Sequence, residues 1–296
     1  MLIRKLFLEH KFLPVFAAIV IITFVMIGLA NLSTQSNPPT QSSAATMENT
    51  EPLASTTPSP APLATPLSTW TAVPAHWEPL SPIPGVARVL FTNGDRAENK
   101  VALTFDVCQA EGDLAGYDSE IIRVLNETQT PATFFLGGEW MRDHQANTLE
   151  LARNPLFELG NHSWSHRDFS VISADEMKNE ILLAQQQMYD LLGYQTNLFR
   201  LPYGTYNEEA LNVIGENGLY AIQWDDVSGD PDPNIDAQRM TNGVLQYLQS
   251  GSIIIMHANG RGWHTAEALP GIIQSIRQQG YTLVTVSDLL QIQPYK

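Results

Sequence analysis

The sequence predicts an α/β domain in which parallel strands alternate with helices, carried behind an apolar amino-terminal segment and a long linker. Three observations predict it. From Lys100 onward, short β-rich apolar runs alternate with stretches of helical period, the pattern of a parallel sheet wound through helices. Ahead of that, eleven prolines fall between Pro38 and Pro84 in a stretch of Ser, Thr and Ala with too few large apolar residues to build a core. At the start, Phe12 to Ala30 runs nineteen residues without a charge, long enough to cross a bilayer core as a helix.

The elements follow in order. Arg4, Lys5 and Lys11 precede the apolar run and no Lys or Arg follows it until Arg88. The positive-inside rule therefore puts residues 1–11 in the cytoplasm, residues 12–32 in the membrane as a signal-anchor, and the rest outside. A cleaved signal peptide is the alternative, since Gly28 and Ala30 form a small-residue cleavage site. Either one exports the remaining chain. Residues 33–96 read as a Pro/Ser/Thr-rich tether, which at about 3.1 Å per residue reaches at most roughly 200 Å. Trp70 and Trp77, unusual in a linker, are expected to pack on the edge of the following domain. That domain is residues 97–296. Its expected strands are Val101 to Val107, Ala132 to Gly137, Phe157 to His162, Leu198 to Leu201, Tyr220 to Trp224, Ile253 to His257 and Thr282 to Val286. Between them, Asp118 is expected to cap a helix running through Leu125. Ser173 with Glu176 forms a capping box for a helix ending near Gly193, and Asn207 caps one ending near Gly218. Two later helices cover about Asp236 to Leu248 and Ala266 to Gln279.

Charge narrows the partners. The chain carries a net −15, and residues 97–296 hold eleven basic against twenty-six acidic residues. A nucleic-acid surface needs clustered Lys and Arg against the phosphates, so this balance argues against nucleic acid as the partner. The single cysteine, Cys108, has no internal disulfide partner. Oligomeric state leaves no signal in the sequence.

Parallel strands wound through helices present their binding loops at the strands' carboxyl ends. The first expected strand ends at Asp106, the third at His162 with His166 four residues on, and the fourth at Arg200 with Tyr203 close behind. The fifth runs into Asp225, Asp226 and Asp230, and the sixth ends at His257. Acids, bases and ligand types gathered at one face mark an active site. In His162-Ser-Trp-Ser-His166, one helical turn would put both imidazoles on one face, which suits a divalent metal such as zinc.

The ordered set Thr104-Phe-Asp-Val107, His162 to His166, Arg200-Leu-Pro-Tyr203 and Ile255-Met-His257 resembles the NodB-type polysaccharide deacetylases of carbohydrate esterase family 4, over about residues 97–290. The resemblance implies a distorted (β/α)7 barrel and a metal-dependent hydrolase, with a divalent metal, Zn2+, as cofactor and an acetylated polysaccharide as partner and substrate. It implies Asp106 as general base, His162 and His166 as metal ligands, and His257 as the acid that protonates the leaving amine. Arg200 would fix and screen Asp106, Tyr203 would offer its backbone amide to the oxyanion, and Asp230 would orient His257.

Departures from the family pattern are concrete. The second Asp of the usual Thr-Phe-Asp-Asp-Gly motif, a metal ligand there, is Val107 here and is followed by Cys108. Asp106, Cys108, a water or the downstream acids Glu111, Asp113 and Asp118 remain open as the third donor, with Asp118 read first as a helix cap. If Val107 occupies the ligand position, Val107→Asp is expected to tighten metal binding; if Cys108 already supplies the third donor, Cys108→Ser is expected to release metal and Val107→Asp to change little or disturb the site. Asp225 or Asp226 stays open as an alternative orienter of His257, because Pro231 follows Asp230 where the family often has Trp. Trp263 either stacks on a sugar ring or anchors its loop. The resulting expectation is an envelope-tethered N-deacetylase acting on peptidoglycan or another amino-sugar glycan. The alternatives are a catalytically weakened glycan-binding protein of the same fold and an O-acetyl esterase.

Overall fold

The structure, a computed structural model, describes residues 77–85, 88–110 and 115–293. The expected membrane segment at residues 12–32, Trp70, Glu111 and Asp113 lie outside them. Among the described residues, no helix is long and apolar enough to cross a membrane.

In chain order the first half comprises β1 (Leu90–Phe91), β2 (Lys100–Val107), α1 (Ser119–Glu127), β3 (Ala132–Leu136), α2 (Gly138–Asp143), α3 (Gln145–Arg153), β4 (Phe157–Asn161) and α4 (Ala174–Leu192). The second half comprises β5 (Leu198–Phe199), α5 (Glu208–Glu216), β6 (Tyr220–Ile222), β7 (Asp226–Val227), α6 (Ala237–Tyr247), β8 (Ile253–His257), α7 (Thr265–Gln278), β9 (Thr282–Val284) and α8 (Val286–Leu290). All seven expected strands form, as β2 to β6, β8 and β9. The capping box on α4 is made, with Ser173 Oγ accepting from the Glu176 amide and the Glu176 carboxylate accepting from the Ser173 amide. Such a cap is worth about 1 kcal/mol. Gly193, in the left-handed region, ends the same helix, and Asn207 caps α5 by accepting from the Ala210 amide. Asp118 stands at the N-cap of α1, but its side chain makes no cap bond.

The strands pair in parallel in the order β1-β6-β5-β4-β3-β2-β8-β7, with β9 also on β2. Only residues 223–225 separate β6, which pairs with β5, from β7, which pairs with β8. The sheet thus returns on itself as a distorted barrel. β1 lies beside β6 at the amino-terminal rim, and Asn93 bridges to Ser252 just ahead of β8. The folded domain therefore begins before residue 97, correcting the boundary expected at residue 96. The preceding segment also docks, since Gln195 Nε2 donates to the Glu78 carbonyl at 2.7 Å and Leu80 packs on the cluster around Leu211 and Ile214.

Alternation along β2 sorts its side chains onto two faces. Val101, Leu103, Phe105 and Val107 join the core between the sheet and its surrounding helices, with Ile121, Leu125, Leu269 and Ile273. Ala102, Thr104 and Asp106 point into the barrel. At the amino-terminal end of the barrel, Val286 and Leu289 of α8 pack with Ala102, Leu198, Ile222 and Ile253. Backbone donors of this helix are met from inside the barrel: the Val286 amide donates to Thr133 Oγ1 at 2.9 Å and the Ser287 amide to Glu158 Oε2 at 3.2 Å. One end is plugged in this way, and the carboxyl end is left for chemistry.

Candidate active site

The site rests on a stack of inward-facing groups. Gly160 of β4 lies so close to Phe135 that a Cβ there would meet the ring at 2.5 Å. The space it leaves lets Phe135 lie flat beneath Arg200, whose guanidinium carbon sits 4.0 Å from the ring centroid. Arg200 is fully buried. Its Nη1 donates to Asp106 Oδ1 at 2.9 Å and to Thr104 Oγ1 at 2.8 Å, and its Nη2 donates to the Gln223 carbonyl at 3.3 Å. A buried charge is tolerable only when so paired and hydrogen-bonded. Burial opposes ionisation of Asp106, but the charges of His162, Arg200 and His257, with the Arg200 hydrogen bond, outweigh it and hold the carboxyl below its usual range.

His162 Nδ1 lies 2.8 Å from the Arg200 carbonyl. A carbonyl can only accept, so Nδ1 carries the proton and Nε2 presents a lone pair on the side of Asp106, 3.4 Å from its Oδ2. The two histidines do not share a helical turn, contrary to expectation: residues 162–166 form a loop with Ser163 and His166 in the left-handed region, at φ 66° and 59°. Hydrogen bonds hold that loop. The Ser163 amide donates to Asn161 Oδ1, the His166 amide to Ser163 Oγ, and the Trp164 and Ser165 amides both to Glu180 Oε2, while Ser165 Oγ donates to Glu180 Oε1. The imidazoles are brought together with ring centroids 4.9 Å apart, and the His166 ring meets Tyr203 edge-on at 4.4 Å. Burial lowers the pKa of both histidines, that of His166 to about 3 with help from the neighbouring His162, which favours the neutral form that binds cations.

Cys108, not Val107, completes this cluster. Val107 is 1% exposed in the outer core, whereas Cys108 Sγ and one ring nitrogen each of His162 and His166 all lie within 4.8 Å of one another. Three donors around a tetrahedral zinc-type ion stand about 3.3–3.6 Å apart, so small side-chain rotations close the set, and two imidazoles with a sulfur suit a borderline-soft cation. Burial and the Asp106 charge push the pKa of the bare thiol up.

Across the cavity, His257 is the register partner of Asp106 on the adjacent strand. Its Nδ1 meets Asp230 Oδ1 at 2.9 Å and its amide donates to Asp230 Oδ2 at 2.7 Å, while Thr265 Oγ1 also donates to Oδ2 at 2.9 Å. Burial alone would lower the pKa of His257, but the Asp230 hydrogen bond and charge, with the charge of Asp106, raise it above the usual imidazole value. Asp230 is therefore the partner of His257. Asp225 is spent elsewhere, on Arg96, Ser252 Oγ and the Ile253 amide. Asp226 is the register partner of Ile254, which belongs to the outer core.

Asp106, His166, Tyr203, Asp230 and His257 line one cavity of about 320 Å³. Tyr203 is 61% exposed at a left-handed position in a short 3-10 turn. Trp263 stands half-exposed on the loop after β8, its amide donating to the Asp230 carbonyl, and it is not among the residues lining the cavity. Sequence reasoning missed Trp224, Ile255 and Arg261 in the cavity wall, the Glu180 clamp, and Asn259, which donates to the Cys108 carbonyl at 2.7 Å. Of these, only the position of Arg261 four residues after His257 was a visible signal.

The profile of the polysaccharide deacetylase family matches residues 93–222. A peptidoglycan-N-acetylglucosamine deacetylase of Bacillus cereus is 30% identical over 217 residues, covering 73% of this chain and 76% of that protein. The peptidoglycan-N-acetylmuramic acid deacetylase PdaA of Bacillus subtilis is 28% identical over 203 residues, covering 68% and 74%. Among solved structures, the Bc1960 peptidoglycan N-acetylglucosamine deacetylase superposes with a TM-score of 0.64 at 28% identity, covering 69% of this chain and 94% of that one. With the motifs in their expected order and the site assembled at the carboxyl ends of the strands, the chain belongs to the polysaccharide deacetylases of carbohydrate esterase family 4, hydrolases of linear amides.

Proposed function

We propose that this enzyme removes N-acetyl groups from an amino-sugar polysaccharide outside the cell, with peptidoglycan as the substrate, while a membrane segment at residues 12–32 anchors it by its tether. One observation carries the reading: Asp106, set by Arg200, and His257, set by Asp230, line one cavity with His166, and His162 Nε2 lies 3.4 Å from Asp106 Oδ2 beside it. A base, an acid and a pair of cation donors are what amide hydrolysis needs within one substrate's reach.

His162 and His166 would hold a divalent cation of the zinc type, which when bound polarises the acetyl carbonyl and lowers the pKa of water. Asp106 takes the proton from the attacking water. Arg200 keeps that carboxylate ionised and fixes its position from beneath. Attack forms the new carbon–oxygen bond, and the oxyanion is met by the backbone amide of Tyr203. His257 presents its Nε2 proton to the glycan nitrogen because Nδ1 is committed to Asp230. Protonation there makes the amine a competent leaving group, the carbon–nitrogen bond breaks, and acetate and a free amino sugar result. Trp263, exposed on the loop after β8, offers a flat face to a neighbouring pyranose.

Acetate release from purified peptidoglycan, chitin oligosaccharides and an O-acetylated xylan, each with and without chelator, tests the proposal. It predicts chelator-sensitive release from N-acetylated glycan. Release from the xylan alone would replace N-deacetylation by ester hydrolysis, and glycan binding without release from any polymer would leave a binding protein.

A further inference from the structure

We propose that Cys108 is the third protein ligand of the cation, binding as a thiolate, so that this site is a sulfur site selective for zinc-class ions rather than a carboxylate site. The inference rests on the reading that His162 and His166 hold a divalent ion. Its basis is the parity of β2. Ala102, Thr104 and Asp106 face the barrel interior, and two residues beyond Asp106 the same alternation brings Cys108 to the site, while Val107 is turned into the outer core.

The surroundings of Cys108 fit a ligand. A Cβ on Gly137, at the end of the neighbouring β3, would meet the Cys108 Cβ at 3.1 Å, so the absence of a side chain there lets Cys108 sit close under the loop. Asn259, 1% exposed, ties the Cys108 carbonyl at 2.7 Å and turns the same amide toward Sγ at 3.8 Å. An amide donor on sulfur favours the anion and fixes its direction. A thiolate brings the same single negative charge as the carboxylate it replaces, so the cation keeps its net charge. What changes is softness: sulfur prefers zinc and cobalt over magnesium, calcium and manganese.

Because Cys108 is the only cysteine in the chain, a thiolate signal is assigned without ambiguity. Zinc X-ray absorption of the loaded wild-type protein is expected to show one sulfur scatterer at about 2.3 Å beside nitrogen and oxygen at about 2.0 Å. The Co2+-substituted protein is expected to show a thiolate-to-cobalt charge-transfer band in the near ultraviolet. Cys108→Ser should lose the sulfur scatterer and the band and weaken zinc binding at least tenfold. Cys108→Asp covers the case in which the serine variant does not fold: it should keep a metal, lose the band and gain affinity for Mn2+ relative to zinc. A shell of nitrogen and oxygen alone in the wild type, or no bound metal, overturns the inference. A sulfur shell in a protein that releases no acetate leaves the inference standing and sinks the deacetylase reading, whereas chelator-sensitive release from a site without sulfur does the reverse.

Discussion

Asp226 is 1% exposed, and neither of its carboxylate oxygens has a partner in hydrogen-bonding geometry. Burial first, then the charge of Asp225, raise its pKa to about 7, with the Val227 amide as a partial counterweight. An unfolded chain releases the same proton near pKa 3.9, so three units at about 1.4 kcal/mol each set an upper bound of about 4 kcal/mol. Relaxation of a short, rim-lying strand toward water reduces this to about 2 kcal/mol. The sign follows from proton counting. The folded state holds the proton that the unfolded state has already released, so stability falls as the pH rises from about 4 and levels off above about 7. Asp226→Asn keeps the shape and removes the charge. It is expected to raise Tm by about 4–8 °C near pH 8, with the gain shrinking toward pH 5 and vanishing near pH 4. Thermal melts of both proteins across that range, paired with acetate release, measure it. A gain independent of pH, or a loss near pH 8, would refute the reasoning, and a loss of turnover would restore Asp226 as the residue that orients His257.

Other perturbations separate the roles of the site residues. His162→Ala and His166→Ala are each expected to lose bound metal and activity together, as metal analysis of the purified variants reports. His257→Ala should keep its metal and fall in kcat by about 100- to 10,000-fold, since it removes only a proton donor; loss of metal from this variant would contradict the assignment. The raised pKa of His257 should let activity persist above the ordinary imidazole range and decline as the pH passes the shifted value. Asp230→Asn leaves burial to dominate, so the alkaline limb of kcat/KM should move to lower pH; an unmoved limb would remove Asp230 from this role. Val107→Asp, which would tighten metal binding only if position 107 faced the cation, should destabilise the fold by about 3 kcal/mol or more with no gain in zinc affinity, because it buries an unpaired carboxylate in the outer core.

Much of the architecture was legible because each long strand is an apolar run bounded by cap and turn residues, as at β2 and β8, and because α4 carries its start and stop signals in Ser173, Glu176 and Gly193. β1 and β7 escaped notice because two residues carry no period. Asp106, His162, Arg200 and His257 were legible as polar residues at the ends of apolar runs, and Asp230 only through the family resemblance. Their support was less so. Glu180 on α4 reads as one more acid on a helix surface until the loop at 163–166 is seen folded over it. The left-handed turns at Ser163 and His166 have no glycine to announce them, so the pair resembled a helical motif. The third donor was ambiguous because a family pattern compares positions, while a strand's alternation decides which side chain faces the site.

The most direct test of the central claim is mass spectrometry of muropeptides from peptidoglycan incubated with zinc-loaded wild-type enzyme, alongside the His257→Ala protein carrying the same metal. The account predicts loss of acetyl mass from the amino sugars with the wild type alone, abolished by chelator and restored by zinc. Unchanged muropeptides with wild-type enzyme of full metal content, or equal deacetylation by the His257→Ala protein, would contradict it.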